Sequence, residues 1–92
     1  MFNNIKNVVK SRVLKYGIKK CERDIEYLEL SVAFYKRKVA RYSQILELYD
    51  KNTDSKKYND ISHVYEKMVN AISIDTKELK LKRKILEKLV SL

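Results

Sequence analysis

The sequence predicts an all-α fold: a long antiparallel helical hairpin of coiled-coil type, with a short basic N-terminal amphipathic helix added to it. Three observations carry this. Apolar residues recur at alternating spacings of three and four over most of the chain. One Gly and no Pro in 92 residues leave almost no turn punctuation for a sheet-rich fold. A single polar run divides the periodic pattern into two halves, as a hairpin turn would.

Residues 1–16 form the first element. On a helical wheel Phe2, Ile5, Val9, Val13 and Tyr16 make one stripe, flanked by Lys6, Lys10, Arg12, Lys15, Lys19 and Lys20. The stripe is out of phase with the apolar pattern beyond it, and Gly17 sits at the discontinuity, where glycine bends most easily. Residues 18–50 form the second element. Ile18, Cys21, Ile25, Leu28, Val32, Tyr35, Val39, Tyr42, Leu46 and Tyr49 alternate three and four without a miss. This is a heptad seam with a at Ile18 and d at Cys21.

Residues 51–55 read as the turn, with Asn52 suited to a left-handed C-cap and Thr53, Asp54 or Ser55 to an N-cap. Residues 56–91 carry the second seam, at Ile61, Tyr65, Met68, Ile72, Asp75, Leu79, Lys82, Leu86 and Leu89. Asp75-Thr76-Lys77-Glu78 also reads as a capping box, which would kink the helix near 73–75. The seam keeps its phase there, which favours an uninterrupted helix. Asp75 and Lys82 are polar intruders of the kind that fix pairing register.

A turn near residue 52 makes antiparallel partners sum to roughly 104. That register sets Glu22, Asp24, Glu26 and Glu29 beside Lys77, Lys80, Lys82, Arg83 and Lys84, and Lys36, Lys38 and Arg41 abreast of Asp60 and Glu66. Complementary blocks specify orientation more than stability. Outside the seams, Tyr27, Leu30 and Phe34 and, across the hairpin, Ile74, Leu81 and Ile85 form extra apolar stripes. They call for a cover and define an expected interaction surface. A folded-back arm would give a three-helix bundle, and a second copy a dimeric four-helix-type bundle.

Composition narrows the chemistry. The single Cys excludes a disulfide framework and a cysteine zinc site and suggests a reducing compartment or indifference to redox; an intracellular location is expected. Cys21 takes a seam position, where burial makes it a small hydrophobe. His63 shares a helix side with Asp60 and Glu66, but one histidine supplies a lone ligand pair, so no metal site is expected. No glycine-rich loop, nucleophile–base pair or paired acid is present, so the sequence predicts no enzyme, catalytic residue, cofactor or small-molecule substrate. Tyr35, Tyr42 and Tyr49 alternate with basic residues as in single-strand-binding platforms, but their d positions assign the rings to the seam. No apolar run approaches the ~18 residues that span a bilayer. Heavy use of Lys, Asn, Ile and Tyr suggests an AT-rich coding genome, as in small viral or plasmid accessory proteins.

The charge is the functional lead. The chain holds 21 Lys and Arg against 12 Asp and Glu, a net +9, and residues 1–21 hold six cations and no acid. The expectation is a nucleic-acid-binding accessory or regulatory protein, contacting DNA or RNA phosphates with low sequence specificity. Lys6, Lys10, Arg12, Lys15, Lys19 and Lys20 are the expected contacts, with Arg37 and Arg41 secondary. A coiled-coil protein-interaction module, homo-oligomeric or with another protein, is the alternative. Peripheral membrane attachment through the N-terminal helix comes third, because its stripe is Val- and Ile-based and only about four turns long.

Overall fold

A computed structural model describes the backbone from residue 2 to 92 and the side chains from Lys10 onward. Two helices make up the described chain, α1 (Phe2–Glu47) and α2 (Ser55–Ser91), packed against each other as an antiparallel hairpin. The molecule is a rod of 78 × 17 × 14 Å. No strand occurs among the described residues.

Both seams form the contact. Cys21, Leu28 and Val32 on α1 and Leu79 on α2 are buried, and every other seam residue is partly buried. The register sits close to the expected one. The Cys21 thiol donates to the Lys82 carbonyl (3.2 Å), the Ser31 hydroxyl donates to the Asp75 carboxylate (2.8 Å), and a Cβ built on Gly17 would meet Leu89 at 3.9 Å. α2 runs through residues 73–75 without a break. Both polar intruders take partners across the seam, since Lys82 Nζ lies 3.1 Å from Asp24 Oδ2.

The turn covers 48–54 rather than 51–55 and is held differently from the expected caps. No residue with positive φ is present among those described, so Asn52 is not a left-handed C-cap. α1 tightens instead through i→i−3 bonds from the Leu48 and Tyr49 amides. Asp50 Oδ1 then accepts from the Asn52 amide at 2.7 Å and the Thr53 amide at 3.3 Å, an Asx turn that ends the helix early. Asp54 holds the N-cap position of α2, yet its carboxylate accepts from the Asp50 amide across the turn, not from the first turn of α2.

The N-terminal segment departs furthest from expectation. The expected separate helix over 1–16 is not seen: from Phe2 onward α1 passes through Gly17 unbroken, and the arm does not fold back. Hence no third helix covers the hairpin among the described residues. The phase shift at Gly17 has another cause. Continuing the heptad backwards puts Leu14 at d, with the seam, whereas Val13 and Tyr16 fall at c and f, on the far side of the helix. Tyr27, Leu30 and Phe34 are also c, f and c. From Val13 on, the stripe is therefore the outer stripe of one continuous helix, interrupted by Lys20 and Arg23, and nothing in the backbone needs to bend.

Candidate nucleic-acid interface

A two-helix ribbon has two broad flanks, which in an antiparallel pair are lined by e positions on one side and g positions on the other. The contacts sort accordingly. Glu29 and Arg83 are both e residues and pair at 3.0 Å across one flank. Asp24 and Ser31 are g residues, and their bonds to the seam residues Lys82 and Asp75 lie on the other. The hydrogen bond from Lys82 to Asp24, together with the carboxylate's charge, raises the lysine pKa above its ordinary value.

Of the expected phosphate contacts, Lys10, Arg12, Lys15, Lys19 and Lys20 are all exposed on α1, while the Lys6 side chain lies outside the described residues. Arg37 and Arg41 are exposed too, but at least ~25 Å further along the rod at 1.5 Å per residue. The structure does not bring them to the same place. It brings others instead. The register lays the C-terminal half of α2 along the basic start of α1, adding Lys80, Lys82, Arg83, Lys84 and Lys88 to the same end. Residues 10–26 and 80–92 together hold eleven cations and four acids, so +7 of the net +9 is gathered at the open end of the hairpin. Among these cations only Lys82 and Arg83 form ion pairs. Residues 27–79 are nearly neutral, with nine cations and eight acids. The signal for the α2 contribution was the pairing register itself, applied to cations rather than only to acid–base blocks.

The expected interaction residues are all solvent-facing: Tyr27 at 72%, Leu30 at 66%, Phe34 at 55%, Ile74 at 64%, Leu81 at 56% and Ile85 at 38% exposure. Their positions are not random. Tyr27, Phe34, Ile74 and Leu81 take c, and Ile85 takes g, which puts all five on the g flank, with Leu30 at its outer edge. The Phe34 ring meets the Tyr35 ring edge-on at 5.5 Å and carries Lys38 Nζ 5.5 Å above its face. At the open end the flank sinks into a groove of 660 Å³ lined by Lys10, Ser11, Val13, Leu14, Gly17, Leu89 and Leu92.

The remaining candidates resolve simply. Tyr35, Tyr42 and Tyr49 lie half-buried in the seam, and Cys21 is buried. His63, Asp60 and Glu66 are exposed on α2, and no group of three potential metal ligands converges among the described residues. No described helix is long and apolar enough to cross a membrane. No family model, curated protein or solved structure matches the chain.

Proposed function

We propose that this hairpin binds the phosphate backbone of a nucleic acid across its open end. The observation that supports the reading is the convergence of cations from both helices on one end of a rigid rod. Arg12, Lys15, Lys19 and Lys80 stand on or beside the e flank, and Arg23 and Lys84 face outward, so phosphates can be met without disturbing the seam. Lysine and arginine at this density act as point charges and forks for phosphate and carry little base information. Binding of this kind is driven by counterion release and is correspondingly sensitive to salt.

The test is fluorescence anisotropy with duplex DNA, single-stranded DNA and RNA between 50 and 200 mM salt. Affinity is expected to fall by roughly 10² or more over that range if five or so phosphates are neutralised. The quadruple variant Lys15→Gln, Lys19→Gln, Lys80→Gln, Lys84→Gln should flatten the log–log slope by about 3, and Arg37→Gln with Arg41→Gln by less. No binding at 50 mM salt, or an affinity indifferent to salt, rejects the proposal. A helix-face interaction module is the second reading, favoured by the exposed apolar residues of the g flank.

A further inference from the structure

We propose that the g flank is covered by a second copy of this chain, packed antiparallel about a two-fold axis near Asp24 and Leu81, with Phe34 of each copy seated in the groove at Gly17 of the other. The site lies on the flank opposite Arg12, Lys15, Lys19 and Lys80, so it stands or falls independently of phosphate binding.

Surface area points to a missing cover. The chain exposes 7952 Å². A compact monomer of its 11.0 kDa mass would expose about 5,600 Å². The excess is more than twice the roughly 800 Å² per partner that a standard stable interface removes. Only four of the described residues are buried, while most of the exposed large apolar side chains stand on one flank. From the groove to Phe34 and Ile74, that flank runs for about 30 Å along the rod.

Gly17 points the same way. Glycine inside a helix is unfavourable relative to alanine. Its own chain gives no reason for it: φ is not positive, and an added Cβ would sit 3.9 Å from Leu89, an ordinary contact. What the missing side chain does is open the floor of an apolar groove that none of the described side chains fills. An aromatic ring is the natural filler, and Phe34 is the exposed phenylalanine on the same flank.

Symmetry supplies the occupant. The groove and Phe34 lie at the two ends of the apolar stretch, equidistant from the level of Asp24 and Leu81. A two-fold axis there exchanges them, so each copy donates one ring and receives one. The same operation brings Glu78 of one copy to the level of Lys20 and Lys88 of the other, and sets Lys38, which rides on Phe34, at the level of Lys10 at the groove. A self-complementary patch of this kind is what an isologous interface requires.

Sedimentation equilibrium should report a dimer. Phe34→Asp should raise the dissociation constant about tenfold or more, as should Gly17→Leu, which plugs the groove. Gly17→Leu also raises helix propensity, so circular dichroism will show that the fold survives. Val69→Asp, on the e flank, should leave the dimer intact. In a Cys21→Ala background, the Gly17→Cys, Phe34→Cys double variant should form a covalent dimer under mild oxidation, while neither single variant should. Within one chain those two sites are ~25 Å apart, so the bond must be intermolecular. A monomer at high concentration overturns the proposal and leaves the flank for a different protein. A dimer indifferent to Phe34→Asp and Gly17→Leu, or covalent dimers from a single variant, overturns it equally.

Discussion

The half of the rod near the open end and the half near the turn are built on the same heptad seam, yet they pack differently. The four buried residues among those described, Cys21, Leu28, Val32 and Leu79, lie on the open-end side or at the middle of the stretch where the two helices overlap. So do the interhelix polar contacts among the described residues, from Ser31–Asp75 to Arg83–Glu29. The turn half places Tyr35, Tyr42, Tyr49, Tyr58 and Tyr65 at or near the interface, each half-buried. The reason is in the side chains. Cysteine, valine and leucine fill the space between two helices and have nothing to keep wet. A tyrosine ring fills that space too, but its hydroxyl needs a partner, and in a two-helix ribbon the nearest one is water. The core is therefore densest beside the basic open end, and the turn half adds less to it.

Truncating the core should separate the halves most sharply. Leu28→Ala removes a side chain that is 7% exposed, and should cost about 2–4 kcal/mol in urea denaturation. Leu46→Ala, at a half-buried a position of the turn half, should cost roughly half as much, since less surface leaves water on folding. Equal losses would break the comparison. Native-state hydrogen exchange sharpens the same point, with amides near Leu28 and Leu79 expected to outlast those near Tyr42 and Tyr65.

A smaller effect should come from the polar seam. The Ser31 hydroxyl donates to Asp75 at 2.8 Å in a part-buried setting. Ser31→Ala leaves that carboxylate without its donor and should cost about 1 kcal/mol. Asp75→Leu in the same background should restore much of the loss, because an apolar residue suits the seam once its partner is gone. What the double variant should lose is a unique register, visible as broadened or doubled amide resonances. A single sharp set of resonances would mean that the apolar pattern alone fixes the pairing.

Much of the fold was legible in the sequence because a two-helix seam is written in nearest-neighbour spacings. All nineteen seam residues are at least partly buried, and even the polar intruders were recognisable by their place in the phase. What misled was a stripe. Val13 and Tyr16 fall out of phase with Ile18 and Cys21, and beside Gly17 a phase break reads as a chain break. Periodicity alone cannot distinguish a helix that bends from one with two apolar faces. Continuing the heptad letters through Gly17 does, because the outer stripe then resumes at Tyr27. The turn slipped by three residues for a local reason, the Asp50 side chain capturing two amides. The basic site is only half legible in the sequence. Charge counted along the chain found the arm, whereas charge counted along the rod finds both helices.

The smallest expected effect lies at alkaline pH and tests how far the open half depends on its ion pairs. Lys82 is held to Asp24 at 3.1 Å, and that hydrogen bond and charge raise its pKa in the folded chain above the ordinary lysine value of 10.5. A raised lysine pKa means that folding favours the protonated form. The pair's contribution is therefore complete below the unfolded-state pKa and is lost as pH rises through the folded one. The urea midpoint of the wild type should hold steady from pH 7 to about 10 and then fall faster than that of Asp24→Asn, which has no carboxylate to stabilise the ammonium. The difference between the two curves isolates this pair from the general titration of lysines and tyrosines. It should be modest, because both partners are about one-third exposed, with side chains at 29% and 36%, and water screens what they gain. A large difference would show that the open half is held by charge as much as by its apolar seam, and parallel curves that the seam alone suffices.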